Sequence, residues 1–252
     1  DFSFTPASQI LDNVIAGERG GGTAMAKSLA DFDWQKPRPL LSQHWDPQSQ
    51  RFGWKQEEGS LMMAPDVVYD ALLANERSLD APQIIDVEPG ETVAIRWIAA
   101  SAFMSCFLDL GELEGELLRT DANPVEPIVG SVFQLALAQR LTLRVKVPEK
   151  PGVFPLLALG ERSNLRCGVV LRSNSRLSVP ALAPQSDQWS GRLDFTQDKQ
   201  LRAQAPLAPR LADNTIPVAL TGPAPKYTWG LNHRFYPYRD PYWVEEGQRV
   251  EM

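Results

Sequence analysis

The chain has 252 residues, of which 43% are hydrophobic and 22% are charged. These fractions are ordinary for a globular protein, and the length allows one or two domains with a sizeable core. The formal net charge of −6 argues against a nucleic-acid partner, because phosphate binding needs basic protein faces. No apolar run approaches the length that crosses a bilayer, so the sequence predicts no membrane span.

Residues 1–66 are predicted to connect to the main core without belonging to it. A short helix is predicted after Pro6, because the apolar residues that follow would share one helical face. The stretch 31–54 mixes prolines and aromatic residues without a clean period. We therefore expect a long loop there, with its aromatic side chains lying on a neighbouring surface: Trp34, Trp45, Phe52 and Trp54.

The region 67–171 has a β pattern throughout. Strands are predicted at residues 93–98, 106–110, 116–120, 141–147, 153–158 and 167–171. The clearest is 141–147, in which Leu141, Leu143 and Val145 alternate with polar residues, so that one face is apolar. Short strands with no helical pattern between them predict an all-β fold, either an antiparallel Greek-key sandwich or a small barrel.

The last third of the chain is predicted to hold a linker and the beginning of another module. Residues 172–216 are rich in Ser, Pro, Gln and Ala, which is typical of an interdomain linker. Residues 217–252 carry a heavy aromatic load for an incomplete sheet, including Trp229, Tyr236 and Trp243. Without further strands to cover them, the edges of this sheet would be exposed and prone to associate with other chains.

One pattern occurs twice in the chain. The turn Glu88-Pro89-Gly90-Glu91 leads into a predicted strand, with proline and glycine supplying the backbone angles that a tight turn needs. The same number of residues separates Asn75 from Gly90 and Asn232 from Gly247. Glu88 and Glu245 are separated by the same number of residues as Asn75 and Asn232. Such spaced similarity indicates two related modules in tandem, and we expect this chain to be a piece of a longer protein.

Catalytic and metal-binding motifs are not evident. His44 and His233 lie far apart, and neither has a histidine or cysteine partner at a metal-ligand spacing. A blue-copper centre needs two histidines, a cysteine and usually a methionine close together, and no such set can be assembled. The alternating carboxylates Glu112, Glu114 and Glu116 are interpreted as a solvated strand edge. The sequence therefore predicts no catalytic, cofactor-binding or metal-binding residue in this segment.

Two cysteines, Cys106 and Cys167, each lie in a strand-like apolar run. Two interpretations stay open at this point: two buried small hydrophobic residues, or one disulfide.

Four motifs follow one another in a fixed order between residues 87 and 171: VEPGETVAIRWIAAS, FLDLGELEGELLRTDANPVEPI, LALAQRLTLRVKV and GVFPLLALGERSNLRCGVVL. This order resembles the middle cupredoxin domain of three-domain multicopper oxidases. The run YDALLANERSL at residues 69–79 is most similar to the bacterial copper-resistance, laccase-like branch. Residues 227–252 resemble the opening strands of the third domain, with Asn232 at the position of the "iNg" element.

The resemblance implies a cupredoxin-like domain at 67–171, a linker at 172–216 and a truncated third domain at 217–252. It implies a copper enzyme that couples one-electron oxidation of a small molecule or Cu(I) to reduction of dioxygen to water. The family's ligands come from HxH pairs in the first domain, and from HPxHLHGH and HCHxxxHxxxxM in the third. None of these motifs occurs here, so this segment would be a scaffold that lines the substrate approach. A periplasmic or otherwise exported location, and flanking cupredoxin domains as partners, are also implied.

Two other functions are compatible with a β scaffold. The alternative is a non-catalytic β-sandwich of cupredoxin type that serves as a binding or structural module. That interpretation requires residues 217–252 to form a closed, self-sufficient element. A two-domain oxidase similar to nitrite reductases would also require His-rich motifs that are absent from these 252 residues.

Overall fold

The computed structural model describes residues 3, 5–16, 20–21, 32–33, 35–59, 67–224 and 228–252. Within these ranges the helices are α1 (Ala7–Ile15) and α2 (Thr196–Gln200). The first ten strands are β1 (Gly20–Gly21), β2 (Arg38–Asp46), β3 (Arg51–Gly59), β4 (Val67–Val68), β5 (Gln83–Asp86), β6 (Thr92–Ile98), β7 (Cys106–Asp109), β8 (Gly115–Thr120), β9 (Asn123–Gly130) and β10 (Val132–Leu135). The others are β11 (Arg140–Lys146), β12 (Val153–Gly160), β13 (Arg166–Arg172), β14 (Trp189–Ser190), β15 (Asn214–Thr215), β16 (Leu220–Ala224), β17 (Thr228–Leu231), β18 (Arg234–Phe235) and β19 (Val250–Glu251).

Two large sheets form the body of the protein. One has seven strands in the order β14-β2-β3-β9-β8-β11-β6, and the other has five in the order β10-β7-β12-β13-β5. Their inner faces pack on one hydrophobic core, in which Phe133, Leu143 and Leu156 are fully buried. The prediction of an all-β sandwich is confirmed. The apolar face predicted for residues 141–147 is also confirmed, because its alternate side chains are buried in that core.

The predicted loop at 31–54 is wrong, because β2 and β3 form a long antiparallel hairpin there. β3 also pairs with β9 in parallel, so the hairpin extends the seven-stranded sheet and does not lie outside the core. The sequence of β2 shows no clear apolar–polar alternation, because Gln43 is polar and yet occupies a buried position, where an apolar residue would be expected. Phe52 is buried as core, and Trp45 packs on it with ring centroids 4.7 Å apart. Trp34 lies outside the described residues.

The repeated pattern has the same backbone geometry in both copies. Gly90 and Gly247 have positive φ angles of 76° and 80°, and both turns are closed by a hydrogen bond, from Glu91 N to Glu88 O and from Gln248 N to Glu245 O. Upstream, two consecutive residues have positive φ in each copy: Asn75, Glu76 and Asn232, His233. Each such pair forms the tip of a tight hairpin, which is typical of a type I′ turn. The repeat therefore extends to the local fold.

The segment 172–216 packs against the sandwich in part. β14 pairs with β2, and Arg166 N donates to Pro184 O across the neighbouring loop. Beyond it, β16, β17 and β18 form a small separate sheet. Large side chains of residues 217–252 are exposed, as the sequence analysis expected for an uncovered sheet: Leu220, Trp229, Tyr236, Tyr238 and Trp243. Tyr227 lies outside the described residues.

Candidate functional site

The two cysteines flank the central strand β12 of the five-stranded sheet. Cys106 on β7 lies opposite Gly160, and Cys167 on β13 lies opposite Ala158. Both side chains face the core. Two strand spacings and a two-residue offset put their Cα atoms about 12 Å apart, which exceeds the separation that a disulfide spans. Both are free thiols, Cys167 buried and Cys106 partly buried against the core, so they pack as small hydrophobic residues and form no disulfide.

Burial disfavours the charged form of both thiols. It raises the pKa of Cys106 strongly, with the neighbouring Cys167 as a second cause. Burial also raises the pKa of Cys167, to about 11. Since the thiolate is the reactive form, neither residue is suited to act as a nucleophile near neutral pH.

We expect both cysteines to resist alkylation by iodoacetamide at pH 8 in the folded protein, with Cys167 about a hundredfold slower than in the unfolded chain. As pH rises from the ordinary thiol pKa of 9.0 towards 11, the unfolded thiols lose protons first, so the free energy of unfolding should fall. The double variant Cys106→Ala with Cys167→Ala should show a smaller fall. Rapid labelling of the folded wild-type protein would contradict this account of the thiols.

The histidines and alternating carboxylates are dispersed. His44 is exposed on β2, and His233 lies at the tip of the β17–β18 turn. Glu114 forms an ion pair with Arg51, and Glu116 forms one with Arg144. These contacts agree with the interpretation of the carboxylates as a solvated edge. Across the described ranges, no three His, Cys, Asp or Glu side chains come close enough together to hold a metal ion.

A buried amide cluster was missed by the sequence analysis. Gln197 of α2 is only 1% exposed, and its side chain bonds both to β10 and to β2. Its Oε1 accepts from Gln134 N at 2.8 Å and from Gln43 Nε2 at 3.0 Å, and its Nε2 donates to Gln134 O at 3.0 Å. Gln43 Nε2 also donates to Val132 O at 2.8 Å. Three isolated glutamines give no sequence signal, because only their partners show that they are buried.

Asp194 joins this amide cluster from the same segment. It accepts hydrogen bonds from Gln134 Nε2 at 3.0 Å and from Thr196 N and Oγ1, both at 2.8 Å. Burial acts to raise the pKa of Asp194, but these hydrogen bonds outweigh it and hold the pKa below its ordinary value. The amide cluster therefore fastens the segment around α2 to β2 and β10. The amide cluster positions this segment, since its contacts are hydrogen bonds within the protein.

The sandwich that carries these features matches a known family. The family model described as multicopper oxidase matches residues 39–169, just over half of the chain. This chain belongs to the multicopper oxidase family. The matched region begins inside β2, so the hairpin that the sequence analysis placed in a connector lies within the family domain. The all-β sandwich is accordingly of the cupredoxin type, as expected.

Solved structures of this family give partial overlaps. Fet3p, a multicopper oxidase that functions in iron import, has 18% identity and a TM-score of 0.47 over 55% of this chain and 28% of its own. The laccase from Botrytis aclada has 12% identity and a TM-score of 0.43 over 61% and 29%, respectively. A multicopper oxidase from Pseudomonas thermotolerans has 23% identity and a TM-score of 0.32 over 43% and 26%. The overlap thus spans less than a third of each of these proteins. A comparison with curated proteins gave no match.

Copper is the cofactor of this family, and the described residues of this segment do not fit it. His44 and His233 have no ligand partners within the described ranges, and the raised pKa of both thiols favours their protonated form. No step of a copper reaction can be assigned to a residue here. Over the same ranges, no helix combines the length and apolar character needed to cross a bilayer.

Proposed function

We propose that this chain is the scaffold part of a longer multicopper oxidase of the bacterial copper-resistance, laccase-like type. The whole enzyme would oxidise a small molecule or Cu(I) by one-electron steps and reduce dioxygen to water. The observation that carries the proposal is the family match over residues 39–169, which covers the sandwich and its core. The copper ligands would lie in parts of the protein outside these 252 residues.

The proposed division of the chain follows the repeat. The sandwich around 67–171 would be the second cupredoxin domain, now joined by the hairpin of β2 and β3, and 172–216 would link it to a third. Residues 217–252 would be the first strands of that third domain. The twin turns support this division, because Gly90 and Gly247 adopt the same conformation at the same distance from Asn75 and Asn232.

The role proposed for the segment is mechanical. A rigid sandwich with a fully buried core can hold the first and third domains at a fixed separation, and its surface can line the approach of the electron donor. The amide cluster supports this role, because it fastens the segment around α2 to β2 and β10. An exported, periplasmic location and flanking cupredoxin domains as intramolecular partners complete the proposal.

Oxygen uptake by the whole protein tests this function. We expect uptake that depends on added phenol or Cu(I), with four electrons consumed per dioxygen and no accumulation of hydrogen peroxide. A protein limited to residues 1–252 is the control and should consume no oxygen. Absence of uptake by the copper-loaded whole protein with both donors would contradict the proposal and favour a non-catalytic β-sandwich module.

A further inference from the structure

Strand β6 lies at one edge of the seven-stranded sheet and is incompletely covered. It pairs with β11 on one side, and no other described strand pairs with it. The inward side chains Val93, Ile95 and Trp97 are only partly buried. Their register partners on β11 are almost fully buried: Val145, Leu143 and Leu141. The core side chains of β11 are therefore covered, whereas those of β6 leave apolar surface exposed at the edge of the sheet.

The outward face beside this edge is cationic. On it, Arg144 pairs with Glu116, Arg140 with Asp121, and Lys146 with Glu149. Between these neutralised pairs lies one row across three strands, in which Thr142 is flanked by Arg96 on β6 and by Arg119 on β8.

Arg96 and Arg119 are both exposed, and neither forms an ion pair with a carboxylate of the described residues. Arg119 donates to the backbone oxygen of Ala122, which leaves its other donors available. Two guanidinium groups are thus left without a counter-charge on the surface of a chain whose net charge is −6. Arginine forks bind carboxylates in a bidentate manner, so this row is suited to an acidic partner.

We propose that the β6 edge is a docking site for an extended acidic segment of a partner protein, which adds to the sheet as a further strand. Strand addition uses the free backbone groups of an edge strand and reads alternate side chains of the incoming segment. Here one face of that segment meets Arg96, and the other meets the partly buried Val93, Ile95 and Trp97. The partner's pattern is therefore acidic and apolar residues in strict alternation.

A designed peptide tests both strand addition at β6 and recognition of acidic side chains, and the experiment uses the whole protein that carries this segment. The probe is a fluorescein-labelled peptide of about twelve residues in which Glu and Val alternate, a length that covers a strand of ordinary size. Anisotropy should report saturable binding that weakens as salt is added, because exposed charges are screened. Two control peptides should not bind: one with Lys for Glu, and one with Pro for alternate Val, which cannot pair as a strand.

Two single-charge variants distinguish specific binding at the row of Arg96, Thr142 and Arg119 from general electrostatic attraction to a positively charged face. Arg96→Gln should weaken binding about tenfold, the effect of losing a charged hydrogen bond. Lys146→Gln removes a positive charge from the same face of the sheet, outside the row, and should weaken binding about twofold or less. Lack of binding by the Glu–Val peptide would overturn the proposal. Equal binding of the proline peptide, or equal losses in the two variants, would also overturn it, since each indicates charge attraction alone.

Discussion

Replacing Gly168 with alanine is expected to lower the free energy of unfolding by about 3 kcal/mol or to prevent folding altogether. Gly168 lies in the middle of β13, paired with Leu157 on β12. A Cβ atom there would overlap the carbonyl oxygen of Leu156 and lie 3.0 Å from the Cα of Leu157. Because both neighbours are backbone atoms, no side-chain rotation relieves the overlap. The two central strands would have to separate.

Gly53→Ala is the matched control for this substitution. Gly53 is also a strand glycine, in β3, but a Cβ atom there would meet nothing within 4 Å. We expect it to be neutral or to stabilise by about 0.5 kcal/mol, since alanine loses less backbone entropy than glycine. Urea unfolding followed by tryptophan fluorescence measures both variants. Equal stability of the two would contradict the packing described for β12 and β13.

Replacing Gln197 with alanine should lower the free energy of unfolding by about 3 kcal/mol, because it leaves buried donors and an acceptor unsatisfied. The groups that lose their partner are Gln134 N, Gln134 O and Gln43 Nε2. The loss should also loosen the segment that α2 anchors. Gln200→Ala makes the same chemical change in the same short helix, at a side chain that is not fully buried, and should cost little.

Hydrogen exchange distinguishes loosening of this segment from general destabilisation. The amides of Ser190 and Gly191 are bonded to Ser163 O and Leu41 O, at the contact between β14 and the sandwich. In Gln197→Ala they should exchange faster, while the amide of Leu143 in the core strand β11 should exchange only as fast as the new global stability allows. Unchanged exchange at Ser190 and Gly191 would show that the amide cluster does not hold the segment.

The parts of the fold that the sequence could predict are those with regular patterns. Residues 141–147 alternate without a break, and β11 was found with its correct inward face. The repeated turns were recognised because glycine marks positions of positive φ, at Gly90 and at Gly247. The family resemblance rested on the order of four motifs along the chain, and no single strand would have identified the cupredoxin type.

The parts that escaped prediction break those patterns for physical reasons. Gln43 occupies a core position in β2 as a polar residue, and its amide nitrogen donates there to Val132 O and to Gln197 Oε1. Pro124 and Pro127 lie within β9, where prolines normally argue against a strand. The cationic row beside β6 is also invisible in sequence, because cross-strand register brings together Arg96, Thr142 and Arg119 from distant positions.

The central claim is that this chain is a scaffold without copper ligands inside a larger copper enzyme. Reading the coding sequence outward from Asp1 and from Met252 tests it most directly. The account predicts HxH pairs on the amino-terminal side, and HPxHLHGH followed by HCHxxxHxxxxM on the carboxy-terminal side. Native coding sequence that lacks histidine motifs on both sides would contradict it, and would leave a β-sandwich of the multicopper oxidase family that serves as a binding or structural module.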